Sequence, residues 1–483
     1  MKVLHIAVRE MQEHILSLRF YFSAILCFTL MVLSAGILAE ETAIEKEQLA
    51  AYVDPGQYRQ VTEWADANRL INGGLRLTRQ PPSLRSLIYG LSDLSLIAQI
   101  KGGNHVLFMR RPLVYNRVLE LFSSFDLLFI AGTLLSLVAM VLTHDAIAGE
   151  RDSGLLRLVL SHSVSGGDLL LGKWLGNQAV LAAITMPGLA TAALVVGTHE
   201  AGNFQVGDWL KVAGIAAGVL LYTGVFASLG LLISSCSQTA KGALISSLCA
   251  WAAMVWLVPN LCVHLAAFAV HGDDGRLVEA NVNRLRVAAE ERGWEEMSRF
   301  IGEKGWGDRQ WANWNLEWGT WSDAVPRLAE ELESLEDREE LFSFAGRVMH
   351  RQFAPMERGA YQIMANHVQQ RRNAVELGIL LSCISPLAPF TYMLTGIART
   401  GVEGELHFRG EVRRFKRDLV DYLDAQLAQR RMWQQVDPEG FPYFRYGGAA
   451  VWGSRVPVYA GVLALYVVVF FMAAYQALIR MEP

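Results

Sequence analysis

The sequence predicts an all-α integral membrane protein, with six transmembrane helices and a sizeable helical extracytoplasmic domain. Composition and the distribution of charge both point there. Of 483 residues, 52% are hydrophobic and 19% charged, whereas ordinary soluble proteins carry about 25% charge. Mean hydropathy is +0.25. Long stretches almost free of charge alternate with stretches dense in Glu and Arg, so different parts of the chain meet different solvents. This excludes a purely soluble enzyme, a disordered chain and a disulfide-rich secreted domain. A net charge of −4 leaves no basic footprint, so no nucleic-acid partner is expected. Cys27, Cys236, Cys249, Cys262 and Cys383 lie in or beside apolar runs with no CxxC pairing. They read as small packing residues.

Residues 1–19 place Val3, Ile6, Ala7, Met11, Ile15 and Leu18 at helical spacing, with Arg9, Glu10 and Glu13 elsewhere around the helix. That pattern predicts an amphipathic helix on the inner membrane surface. A crossing needs about 20 mostly apolar residues. Six runs qualify: Phe20–Ala39, Phe122–Leu142, Trp174–Gly197, Val212–Ser235, Ala243–Val270 and Val458–Leu478. The first is preceded by nineteen residues and is longer than a signal-peptide core, which favours an uncleaved anchor. Leu377–Phe390 is too short for a crossing and carries Pro386 and Pro389, so 377–398 reads as a half-buried or interfacial segment.

Six crossings put both termini on one side. Lys2, Arg9, Arg19, Arg151, Arg157, Lys173, Lys241 and Arg480 then fall on the same side as the termini, which makes that side cytoplasmic. Residues 40–121 and 271–457 become the two long outside regions. The first carries turn signals at Asp54–Pro55–Gly56, Asn72–Gly73–Gly74 and Pro81–Pro82, and a small α-rich or mixed subdomain is expected. Residues 271–375 of the second are slightly acidic, as solvated faces usually are. Its residues 279–300 and 323–348 have helical spacing. Trp294, Trp306, Trp311, Trp314, Trp318 and Trp321 cluster here, and 311, 314, 318 and 321 form one helical stripe. Such a stripe suits a headgroup-level belt or a substrate surface, and packing against neighbouring helices is the plainer account.

Residues 143–173 form the substantial cytoplasmic loop. Ala146, Ile147, Leu155, Leu158 and Val159 recur at helical spacing among Glu150, Arg151, Asp152 and Arg157. Gly149 and Gly154 mark bends, and Ser161–Gly167 has turn chemistry. A short amphipathic helix lying across the membrane face is predicted, of a kind that docks in a partner's groove and passes on its movement.

The runs AGERDSGLLRLVLS (148–161) and LLLGKWLG (169–176), with the ordering of the six spans, resemble the ABC-2 type permeases, membrane subunits of one class of ATP-driven exporters. SPLAPFTYMLTGIARTG (385–401) resembles the extracellular re-entrant segment of that family. The branch most resembled has enlarged outside loops and a stretch like QPPSLRSL (80–87) before the second span. The likeness covers the transmembrane framework well and residues 271–375 poorly. It implies a coupling helix holding Glu150, Arg151, Asp152, Ser153, Gly154 and Arg157 against a separate ATPase. It also implies two ATPase subunits, a second permease copy or a sister permease, and a bacterial inner membrane. ATP and Mg²⁺ would belong to the ATPase, with no cofactor on this chain.

Gly167 to Lys173 fits GxxxxGK, but Trp174 stands where Mg²⁺ ligation needs Ser or Thr, and no strand precedes the glycines. His199-Glu200 is not followed by the HExxH pattern, GxSxG is absent, and His264 and His271 lack a third ligand nearby. No catalytic or metal site is expected. Asp126 is an ionisable group near the outer end of the second span, a functional candidate by default or an interfacial group with an Arg partner. The expected role is therefore an exporter permease coupled through residues 144–165. The alternative is a mechanotransmission subunit that relays ATP hydrolysis to an extracytoplasmic protein without transporting anything. A membrane-anchored scaffold with no ATPase fits the shaped loop poorly.

Overall fold

Backbone groups inside hydrocarbon must find partners within their own segment, and this chain answers with helices. The computed structural model describes residues 2–52, 70, 75–90, 96–101, 105–109, 125–156, 165–200, 202–269, 275–306, 320–428, 440–446 and 453–480. Among the described residues, six helices are long and apolar enough to cross a membrane. The protein is an all-α integral membrane protein whose described β structure is one small sheet.

Along the chain, α1 (Lys2–Ile15) is followed directly by α2 (Leu18–Tyr52). At about 1.5 Å per residue α2 runs some 50 Å, so its C-terminal turns project well beyond a hydrocarbon core of about 30 Å. Strands β1 (Leu75–Thr78), β2 (Ile97–Lys101) and β3 (His105–Met109) pair antiparallel in that order, with Leu75 opposite Ile100 and Ile100 opposite Val106. Helix α3 runs through Leu127–Phe129, Ile130–Leu135 and Ser136–Thr143, its middle part wound as a π-helix. Short α4 (Ala148–Asp152) precedes the spans α5 (Gly166–Thr198) and α6 (Val206–Cys236). Helix α7 comprises Ala240–Ala252, a second π stretch Ala253–Leu257, and Val258–Ala269. Then come α8 (Gly275–Lys304), α9 (Trp321–Glu331), α10 (Leu335–Ser382), α11 (Leu387–Ala398), α12 (Val402–Ala428) and the last span, α13 (Val456–Ile479).

Several of these differ from the sequence reading. Helix α5 begins at Gly166, eight residues before Trp174, because Ser165 accepts a hydrogen bond from the Asp168 amide and caps it. The helical stretch expected over 323–348 is two helices. Ser334 caps the second, which then runs 48 residues to Ser382. Segment 377–398 is thus the end of α10, a turn, and the 12-residue α11. Pro386 is the N-cap of α11 and Pro389 lies in its first turn, where a missing N–H costs no hydrogen bond.

Two cores result. The membrane core joins α2, α3, α5, α6, α11 and α13 around residues such as Ile184, Phe226 and Phe390. The far-end domain packs the sheet with α8, α9, α10 and α12 around Leu77, Met297, Trp321, Leu341 and Phe408. Gly293 makes room for the Trp321 indole, since a Cβ there would stand 2.0 Å from Nε1. Buried ion pairs stitch the pieces. Arg85 donates to Glu45 through Nε (2.9 Å) and Nη2 (3.1 Å), joining the QPPSLRSL stretch to the C-terminal part of α2. Arg79 donates to Glu405 (2.5 Å) and lies over the Phe408 ring, joining the sheet to α12.

Of the residues singled out from sequence, Trp294, Trp306 and Trp321 are described, and Trp294 and Trp321 are buried in or beside the far-end core. Trp311, Trp314 and Trp318 lie outside the described residues, as do His271 and the turns at 54–56 and 72–74. Cys27 and Cys262 are buried, whereas Cys236 and Cys249 are exposed.

Candidate coupling site

At the end of the bundle carrying α1, the loop after α3 folds back under the spans. Ser234, near the end of α6, accepts hydrogen bonds from the Ile147 and Ala148 amides, both at 3.0 Å. These are free donors at the start of α4. Arg151 reaches the other way and donates to the carbonyls of Ser235 (3.1 Å) and Ser237, covering the last carbonyls of α6. Ala146, Ile147, Leu156, Leu169, Leu170, Leu231, Ala474 and Leu478 form a separate apolar cluster beneath them. The loop is therefore fastened to α6 by hydrogen bonds and to α5 and α13 by packing.

Lys173 sits inside this arrangement. Its side chain is 5% exposed, and Nζ lies 2.9 Å from Glu10 Oε2 of α1 and 2.9 Å from Glu150 Oε1 of α4. A lone ammonium at this depth would be costly, and two carboxylates compensate it. Burial opposes ionisation of Glu10, but a hydrogen bond from His14 and the Lys173 charge hold its carboxyl below the usual carboxylate range. Three helices thus meet on one ammonium.

Close approach of α1 to α5 depends on two glycines of LLLGKWLG. A Cβ at Gly172 would lie 2.7 Å from Ile6 Cβ, and one at Gly176 would lie 2.7 Å from the Ala7 carbonyl oxygen. Four residues apart on α5, they form a smooth track for α1, as small residues do between membrane helices. Gly167, Gly172 and Lys173, the P-loop-like string, are all helical in α5. The lysine is spent on the ion cluster.

Among the described residues of the loop, the exposed part is the tip of α4. Ser153 closes α4 and Gly154 has φ of +75°, a left-handed cap natural to glycine. Asp152, Ser153, Gly154 and Leu155 are exposed, Leu155 by 51%. The residues expected to couple therefore divide: Glu150 and Arg151 face inward and hold α4, while Asp152, Ser153 and Gly154 face outward. Arg157 lies outside the described residues. Gly149 lies within α4 and makes no bend.

Asp126 is elsewhere. It caps α3, accepting from the Phe129 amide (3.0 Å) and from those of Tyr89 (3.0 Å) and Gly90 (3.4 Å). It ties the loop before β2 to the second span with backbone N–H groups, and among the described residues no arginine pairs with it.

Lys173 and Glu10 were missed as site residues. Their signal was visible: a lone lysine in an apolar helical run, and an acid on an amphipathic helix, each needing a partner.

A family model described as ABC-2 family transporter protein matches residues 4–482. A probable ABC transporter permease protein NosY from Pseudomonas aeruginosa is 43% identical over 67 residues, which is 14% of this chain and 24% of that protein. Its namesake from Stutzerimonas stutzeri is 33% identical over 93 residues, 19% of this chain and 29% of that protein. The matched stretches thus span less than a third of these relatives.

Proposed function

The chain belongs to the ABC-2 family of transporter proteins, and on that premise we propose that it is the permease half of an ABC exporter. Two such halves, or this chain and a sister permease, would flank the substrate path. A separate pair of ATPase subunits would engage the tip Asp152–Leu155 on the cytoplasmic side, in a bacterial inner membrane. ATP would act on those subunits.

One observation carries this reading. The loop between the second and third spans presents an exposed tip on a helix whose other face is fastened to α5 and α6, and through Lys173 to α1. A push on the tip reaches the first helix through Glu10 and the third span through Lys173. Such a fastened element transmits movement to the spans, where a loose loop would absorb it.

The exposed residues make the test. Leu155→Asp and Asp152→Lys leave the Lys173 cluster untouched, so membrane insertion and thermal stability should stay at wild-type levels. Co-purification of a Walker-motif ATPase from gently solubilised native membranes should be lost. Wild-type recovery of the ATPase with both variants would refute the coupling assignment.

A second reading, mechanotransmission, has its own support. The 48-residue α10 packs on α8 and α12 in the far-end domain and on the latter part of α7 and on α11 at the spans. One continuous helix thus reaches from the far-end core to the membrane part. Recovery of a far-side protein partner in the same pull-down, with no substrate movement in reconstituted vesicles, would favour this relay over export.

A further inference from the structure

Where the far-end domain meets the spans, a cavity of about 420 Å³ opens between α10, α11, α12 and the entry to α13. That volume falls within the range of small-molecule sites. It lies at the opposite end of the bundle from the coupling loop, and nothing in the coupling reading uses it.

Its lining is graded. Toward the spans it has Ile379, Tyr392 and Tyr459, and farther out it has Arg372, His407 and Arg413. Arg455, at the entry to the last span, pairs with Glu376 (3.3 Å), and Arg372 pairs with the same carboxylate (3.4 Å). Glu403 accepts from the Ser454 amide and hydroxyl. Two of the cavity's three guanidiniums therefore share one carboxylate, and the other carboxylate is engaged by serine. Arg413 is half-buried with no carboxylate in ion-pair range among the described residues. Burial and the nearby Arg409 charge hold its guanidinium below its ordinary pKa, which is the environment an anion would relieve. Arg409 itself is taken up by Glu405 at 2.7 Å.

The position adds a second argument. Helix α13 starts at Val456, one residue after Arg455. Leu380 and Val458, next to lining residues in sequence, are exposed by 71% and 62%, as lipid-facing residues would be. An amphiphile in the adjoining leaflet has its head near the arginines and its chain near the tyrosines and Ile379, as interfacial aromatics favour.

We propose that this cavity binds one amphiphile with an acidic head group, the anion on Arg413 and Arg372 and the chain along Ile379, Tyr392 and Tyr459. Charge-assisted hydrogen bonds supply head-group selectivity, and burial of the chain supplies the rest.

The full-length protein in neutral maltoside micelles should be titrated calorimetrically with dioctanoyl phosphatidate, dioctanoyl phosphatidylcholine and inorganic phosphate. Phosphatidate should bind saturably, near one per chain. The zwitterionic lipid should give no saturable component, and phosphate alone should bind at least tenfold more weakly. Arg413→Gln should weaken phosphatidate binding about tenfold. Gly410 lines the cavity and a Cβ there meets nothing within 4 Å, so Gly410→Leu should fold, being a better helix former, and should block binding. Unchanged melting temperatures would show both variants intact. Four results would overturn the proposal: no saturable phosphatidate binding, equal binding of the zwitterionic lipid, equal binding of phosphate alone, or wild-type binding by both variants.

Discussion

Lys173 Nζ stands 2.9 Å from Glu150 Oε1, so a buried ammonium of the third span pairs with a half-buried carboxylate of α4. Glu10 completes the cluster from α1 at the same distance. Removing the cation leaves the two carboxylates without the ammonium between them, and only Glu10 keeps a neighbour, His14, to offset its charge. Lys173→Met should therefore destabilise the folded chain by about 3–5 kcal/mol, read as a lower melting temperature in detergent. Glu10→Gln and Glu150→Gln should each cost less, and their combination should be non-additive, because both act through one ammonium. Strict additivity in that cycle would show that the cluster does not act as a unit.

The glycine track makes a separate prediction. Gly176→Leu drives a side chain into the Ala7 backbone, where a Cβ alone would already lie 2.7 Å from the carbonyl oxygen. The clash falls between α5 and α1 and meets no other span. The variant should insert normally, with α1 lifted from α5 and trypsin cutting faster after Arg9, which is exposed in the folded chain. Unchanged cleavage at Arg9 would mean that α1 docks without the track.

How much of this could be read beforehand varies with the physical signal. The spans were legible because about twenty apolar residues admit few other readings, and α1 because its apolar face repeats at helical spacing. The inward turn of Glu150 and Arg151 was not legible. Both look like surface charges until Lys173 and the end of α6 are known to lie opposite them, and that is a tertiary fact. The small sheet was hidden because Leu75–Thr78 is too short for alternation to stand out. The length of α10 was hidden by Pro355, a residue that argues for a break yet sits inside the helix.

Glu290 gives a pH prediction in the far-end domain. Burial pushes its carboxyl up to about 7 from 4.5, against hydrogen bonding from the Trp321 amide (2.6 Å) and the charge of Arg286. The folded state therefore holds this proton more tightly than the unfolded state. The stability it contributes is complete below pH about 4.5 and is lost as pH rises through about 7. Glu290→Gln keeps an acceptor for the Trp321 amide and removes the titration. It should raise stability by about 1–3 kcal/mol at pH 8 and change little at pH 4, as read by tryptophan-fluorescence melts of the full chain. A wild-type pH dependence in the variant would assign the effect to another group.

The π stretch of α3 supports the last prediction. Widening the helix at Ile130–Leu135 turns carbonyls away from their usual partners. The Gly132 carbonyl accepts instead from Tyr222 Oη (2.8 Å) and Ser136 Oγ (2.7 Å). The Tyr222 ring also stacks on Phe390 of α11, with centroids 4.0 Å apart and planes at 16°. Tyr222→Phe keeps the stack, and Ser136 still reaches the carbonyl, so the cost should be about 0.5–1.5 kcal/mol. Tyr222→Ala also opens a cavity against Phe390 and should cost about 3–5 kcal/mol. Packing, on this account, joins α11 to the bundle, and the hydrogen bond adds alignment. Equal losses of melting temperature in the two variants would reverse that order and give the π-stretch hydrogen bond the larger role.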